Sequence, residues 1–136
     1  MKNSIIIIDD ELLIRDLLYD HFSERDWIVS VSESGEKVLE LLRNRSYNIA
    51  LVDIRMPDMD GLSFVRKIRD LYPALPVVIM TGFPTVETAI ESIRLRVDDY
   101  FIKPFNINKL FKTVEHLVER HRLQEAKLKS EGIRIS

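Results

Sequence analysis

Asp9-Asp10, Asp53, Thr81 and Lys103 each stand where an apolar run stops, and together they have the types needed to handle a phosphoryl group. Three carboxylates brought together repel and raise one another's pKa unless something positive intervenes. Oxygen ligands with no His or Cys among them suit a hard ion such as Mg²⁺, which takes one or two carboxylates and keeps several waters. A metal and an ammonium neutralise the equatorial oxygens of a transferring phosphoryl while a hydroxyl donates to one of them. The carboxylate they surround can itself be the nucleophile, giving an acyl phosphate. Each residue alone also has a structural reading. Asp9-Asp10 would cap a helix, Asp53 would start a turn, Thr81 would be a β-branched strand end, and Lys103 a surface lysine. The joint pattern, one group per strand end, argues for a site.

These groups converge only if the runs before them are parallel neighbours. Ser4 to Ile8 and Ile49-Ala50-Leu51-Val52 are apolar without alternation, as expected of strands buried on both faces of a parallel sheet. Trp27 to Val31, Pro76 to Met80 and Asp99 to Ile102 supply three more. Helical spacing appears between them. Ile14, Leu17, Leu18 and Phe22 lie in Glu11 to Arg25, with Asp10 placed to cap and Glu11 in the first turn. Val38, Leu41 and Leu42 follow, then Leu62, Val65 and Ile68 in a helix ended by Tyr72-Pro73. Val86, Ala89, Ile90, Ile93 and Val97 form an unbroken apolar stripe, and a last helix starts near Asn106. Pro57 and the Asp58-Met59-Asp60-Gly61 cluster break the chain into a loop after Asp53. Five strands alternating with helices predict an α/β fold, a doubly wound five-stranded parallel sheet with five helices. In such sheets ligands bind at the carboxyl edge of the strands.

Composition narrows the class. The 136 residues fit one domain; 46% are hydrophobic and 31% charged, which is globular rather than disordered. The net charge of −2 gives no basic field for nucleic acid. No cysteine is present, which removes disulfides, thiolate zinc and cysteine nucleophiles and is compatible with a reducing cytoplasm. No apolar run approaches the roughly 20 residues of a membrane helix, so no membrane partner is expected. His21, His116 and His121 fall in helical patterns away from the strand ends and read as surface residues.

Asp9-Asp10, Asp53-Ile54-Arg55-Met56-Pro57 with Gly61, Met80-Thr81-Gly82 and Tyr100-Phe101-Ile102-Lys103-Pro104-Phe105 together resemble the receiver domain of bacterial two-component response regulators. The resemblance runs from Ile5 to about Val118, with all motifs in order. It implies a flavodoxin-like sheet of order 2-1-3-4-5 and a cytoplasmic phosphoacceptor switch rather than an enzyme. Asp53 would take phosphate from a sensor histidine kinase or phosphotransfer protein with Mg²⁺ as cofactor. Asp10, Asp53 and the Arg55 backbone carbonyl are implied metal ligands, with Asp9 acting through bound water. Thr81 and Lys103 are implied contacts to the phosphoryl group, and Thr81 and Tyr100 the switch pair. The resemblance also implies a cis bond before Pro104. Output would be a population shift of the face formed by the fourth helix, fifth strand and fifth helix. A homodimer through that face or through the C-terminal helix is a further candidate partner.

One departure from the family pattern, two variable positions and two alternatives remain. Arg96-Val97 replaces the small Gly-Ala pair common in this family, so the entry to the fifth strand is expected to pack differently. Arg55 and Phe83 fill two variable positions that tune phosphate lifetime in the family. Residues 1–121 read as the receiver and 122–136 as a helical tail or linker, partly disordered, with a weak heptad frame through His121, Gln124 and Leu128. No DNA-binding or ATPase motif follows residue 118, so a stand-alone receiver and a receiver cut from a longer regulator both remain. The alternatives are a phosphate-independent interaction module of the same fold and an aspartyl-phosphate hydrolase. The hydrolase resemblance calls for Asp-x-Asp rather than the adjacent pair here.

Overall fold

β1 (Ser4–Ile8) puts four isoleucines behind a serine, and all five residues are buried. Such a run is stable only with both faces covered. The computed structural model describes residues 2–56 and 59–132, and there β1 lies between two parallel neighbours. Together with β2 (Ile28–Ser32), β3 (Ile49–Asp53), β4 (Val77–Thr81) and β5 (Asp99–Ile102) it forms a parallel sheet of order β2-β1-β3-β4-β5. The five helices among the described residues are α1 (Leu12–Ser23), α2 (Gly35–Asn44), α3 (Gly61–Leu71), α4 (Val86–Arg94) and α5 (Ile107–Ser130). A short antiparallel ribbon, Arg55–Met56 with Met59–Asp60, joins β3 to α3. Pro57 and Asp58, expected in that loop, lie outside the described residues.

Alternate strand residues face opposite layers. Ile5, Ile7, Ile49, Leu51, Val78 and Met80 pack with Leu18 and Phe22 of α1 and with Leu110, Phe111 and Val114 of α5. Ile6, Ile8, Ala50, Val52, Val77 and Ile79 pack with Val38 and Leu42 of α2, Phe64, Val65 and Ile68 of α3, and Leu95 beyond α4. Each large side chain removed from water in this way contributes about 1.5–3 kcal/mol before conformational entropy is counted. Trp27 precedes β2 rather than opening it, and its ring is wedged against Phe22 and Phe111 at centroid distances of 5.2 and 6.0 Å.

Local structure corrects some expectations and adds detail to others. Asp10 does not cap α1. The N-cap is Glu11, whose side chain makes no capping bond and reaches Lys103 instead, while the Asp9 carboxylate accepts the Glu11 N–H at 2.8 Å. Leu17 points outward, 48% exposed, while Leu18 and Phe22 carry the packing of α1. The apolar stripe of α4 also faces out: Val86, Ile90 and Ile93 are 72, 45 and 76% exposed, and the helix buries Ser92 instead. His21 is not a plain surface residue. Its ring meets Phe111 edge-on at 5.3 Å, Nε2 is buried with no partner among the described residues, and burial lowers its pKa. α5 continues without a break across 121/122 to Ser130. The expectation of partial disorder falls in part on residues 133–136, which lie outside the described residues.

The entry to β5 is held by a residue that sequence reasoning passed over. The buried Arg69 guanidinium of α3 donates to the carbonyls of Leu75, Leu95 and Arg96 and lies 3.8 Å from the Asp98 carboxylate. Asp98 in turn accepts the N–H of Val77 at 2.8 Å. Arg96 takes a left-handed conformation, φ +56°, where glycine is favoured.

Candidate functional site

The register explains how distant residues meet. Ile8 pairs with Val52, so Asp9 and Asp53 are the next residues on adjacent strands. Asp53 pairs with Met80, placing Thr81 one residue beyond, and Thr81 pairs with Ile102, placing Lys103 one residue beyond that. All four therefore sit at one edge, beside the point where strand order reverses between β1 and β3.

Lys103 is the hub. Its Nζ lies 2.8 Å from Asp9 Oδ2, 3.0 Å from Asp53 Oδ2 and 2.8 Å from Glu11 Oε1. Asp9 is fully buried and Asp53 is 2% exposed. Burial pushes the Asp9 carboxyl up from 3.8 to about 6, and the Asp53 charge adds to this, while Lys103 and the Glu11 N–H work against it. Burial alone would lower the Lys103 pKa, but its bonds to the three carboxylates outweigh that and hold it above the ordinary lysine range. The ammonium is therefore charged at every physiological pH.

The remaining candidates are placed as follows. Asp53 Oδ1 accepts the Arg55 N–H at 2.9 Å, which orients the carboxylate across the turn after β3. Thr81 is buried, and its Oγ1 accepts the Phe83 N–H at 3.1 Å, leaving its own proton free to be donated. The Arg55 guanidinium lies over the Phe83 ring at 4.1 Å, joining the loops after β3 and β4. Tyr100 is half-buried, and its hydroxyl is 3.0 Å from Thr88 Oγ1 in the capping box of α4. The Lys103–Pro104 bond is cis. Gly61 opens α3 so close to Ile54 that a Cβ there would overlap the Ile54 backbone.

Asp9, Asp10, Glu11 and Asp53 each bring an oxygen within 4.8 Å of the others. Asp9 Oδ2 has no hydrogen-bond partner besides the neighbouring ammonium among the described residues. An all-oxygen cluster with a buried acceptor still available fits a hard divalent cation. Glu11 was missed as a site residue because it reads as the start of a helix; the signal was the unbroken Asp9-Asp10-Glu11 acidic run. A cleft of about 480 Å³ among the C-terminal ends of α2 and α3 and the second half of α5 includes none of these residues.

Comparison with known proteins agrees with this geometry. The chain is 36% identical over 111 residues to the transcriptional regulatory protein ZraR of Escherichia coli O157:H7, covering 82% of this chain and 25% of that one. It is 33% identical over 132 residues to the DNA-binding transcriptional regulator NtrC of Proteus hauseri, covering 97% and 28%. The chain thus spans about a quarter of the length of the curated relatives it matches. Among solved structures, a CheY-like response regulator receiver domain protein from Methanospirillum hungatei JF-1 superposes with a TM-score of 0.87 at 25% identity, covering 91% of this chain and 99% of that one. The response regulator TrrA from Thermotoga maritima, in complex with Mg²⁺-BeF, gives 0.75 at 29%, covering 86% and 99%. The family described as response regulator receiver domain matches residues 5–115. With its five-stranded parallel sheet and its acid-lysine edge, the chain belongs to the response regulator receiver domains of two-component systems.

Proposed function

We propose that Asp53 is the phosphoacceptor of this receiver, taking a phosphoryl group from a phosphohistidine on a sensor histidine kinase or phosphotransfer protein. The observation that carries this reading is the Lys103 ammonium 3.0 Å from Asp53 Oδ2 inside a buried acidic cluster. An Asp53 oxygen forms the new bond to phosphorus as the bond from phosphorus to the donor imidazole nitrogen breaks. Lys103 neutralises charge that the phosphoryl brings, and the Thr81 hydroxyl donates to one of its oxygens. Asp10, Asp53 and the Arg55 carbonyl would hold Mg²⁺ directly and Asp9 through water. When bound, the ion supplies further charge neutralisation at the phosphoryl oxygens. The domain performs only its own phosphorylation and dephosphorylation and does not turn over external phosphomonoesters.

The output reading follows from Thr81 and Tyr100. Recruitment of the Thr81 hydroxyl to the phosphoryl shifts the loop before α4, and Tyr100, tied to α4 through Thr88, follows. The exposed Val86, Ile90 and Ile93 of α4 and Ile102 of β5 then present an altered face to a second copy of the chain or to an effector. The long α5 is a second candidate for self-association. The relatives' names support a transcriptional output for the whole protein.

Incubation with acetyl phosphate, with and without Mg²⁺, tests the reading. Mg²⁺-dependent consumption of the donor and one added phosphoryl by intact mass are expected. A protein that leaves the donor unconsumed and binds no Mg²⁺ would instead be a phosphate-independent interaction module.

A further inference from the structure

The geometry points to Glu11 as a placeholder for the phosphoryl group, a carboxylate that occupies Lys103 in the unphosphorylated state and yields it on phosphorylation. This rests on the phosphoacceptor reading of Asp53. The Lys103 ammonium donates to Glu11 Oε1 and Asp53 Oδ2 and lies 2.8 Å from Asp9 Oδ2, so three carboxylate oxygens crowd it within 3.0 Å. A phosphoryl oxygen reaching Lys103 must therefore displace one of them.

The three are not equal. Asp9 is buried at the end of β1, so releasing it leaves a desolvated charge without its counter-ion, and Asp53, once joined to phosphorus, keeps its remaining carbonyl oxygen fixed at the end of β3. The Glu11 side chain is 57% exposed, stands at the N-cap of α1 and makes no capping bond. When it swings away, water solvates the carboxylate that Lys103 gives up. An exposed ion pair of this kind is weak. That weakness suits the role, because the contact shields the ammonium while the site is empty and adds only a small barrier to filling it. Glu11 is a positioning residue here; it acts on the phosphoryl only through Lys103.

Two variants and two readouts separate this from simple charge repulsion. Glu11→Gln removes the charge. Glu11→Asp keeps the charge but is one methylene too short to hold the 2.8 Å contact. The exposed position makes both compatible with the fold. The inference predicts that both variants bind beryllofluoride with Mg²⁺ about two- to fivefold more tightly than wild type, the range expected for one exposed ion pair. It also predicts that both shift the Lys103 Nζ resonance in metal-free protein. Tighter binding by Glu11→Gln alone would mean repulsion only and would overturn the inference. An unmoved Nζ resonance, or unchanged affinity in both variants while wild type still takes up phosphoryl at Asp53, would overturn it and leave the phosphoacceptor reading intact. If wild type takes up neither phosphoryl nor beryllofluoride, both readings fall together.

Discussion

Lys103 Nζ and Asp53 Oδ2, fifty positions apart in sequence, meet at 3.0 Å across the carboxyl edge of the sheet. The contact exists because β3, β4 and β5 are parallel and in a register that ends each strand at the same edge. Lys103 also offsets Asp9, so one ammonium makes a buried pair of carboxylates tolerable.

Replacing that ammonium is therefore costly. Lys103→Ala should lower the stability of the metal-free domain at pH 7 by about 3 kcal/mol, the scale for breaking a buried ion pair. Part of the loss should return on adding Mg²⁺. Urea unfolding with chelator and with Mg²⁺ measures both, and an unchanged midpoint would show that the cluster does not depend on Lys103.

Acidity should act on the same cluster. The Asp9 carboxyl is raised to about 6 in the folded protein against 3.8 in the unfolded chain, chiefly by burial. Between those values the folded form holds a proton that the unfolded form has released. The Asp9 contribution is thus most favourable below about pH 4 and is lost as pH rises through 6, by about 3 kcal/mol in all. Denaturant midpoints of metal-free protein between pH 4 and 7.5 should show this slope, and Asp9→Asn should flatten it. An identical pH dependence in the variant would assign the slope elsewhere.

Gly61 sets the loop behind the acceptor. A methyl group there meets the Ile54 backbone, which cannot rotate away as a side chain can. Gly61→Ala should cost about 2 kcal/mol and reduce phosphoryl uptake by displacing the Arg55 N–H that orients Asp53. Parallel thermal melts and phosphorylation rates check the two effects, and wild-type values for both would contradict the placement of this turn.

Arg96 makes the opposite prediction. A side chain at φ +56° is strained, and Arg96→Gly should stabilise the domain by about 1 kcal/mol, raising Tm by about 4 °C. The Leu95 and Arg96 groups that accept from the Arg69 guanidinium are backbone carbonyls and remain available in the variant. A lower Tm would mean that the Arg96 side chain contributes packing that outweighs the strain.

The sheet was legible because Ile5–Ile8 and Ile49–Val52 are too continuously apolar for any setting but a covered parallel strand. Asp9, Asp53, Thr81 and Lys103 were legible for a related reason: polar groups that end such runs must share an edge. Other features depend on what packs against what. The period of Val86, Ile90 and Ile93 reveals a face without saying whether core or solvent receives it, and here solvent does. Arg69 follows Ile68 and reads as the polar side of α3, yet it enters the core because the carbonyls of Leu75, before β4, and Leu95, after α4, converge there. Glu11 reads as a helix start until Lys103, 92 positions later, arrives beside it.

The most direct test of the central claim is the position of the acyl phosphate. After phosphorylation by acetyl phosphate with Mg²⁺, borohydride reduction converts a phosphorylated aspartate to homoserine, which peptide mass spectrometry locates. The account predicts homoserine at position 53 and none in Asp53→Asn treated alike. Homoserine at Asp9 or Asp10 instead, or undiminished labelling in the Asp53→Asn protein, would contradict it.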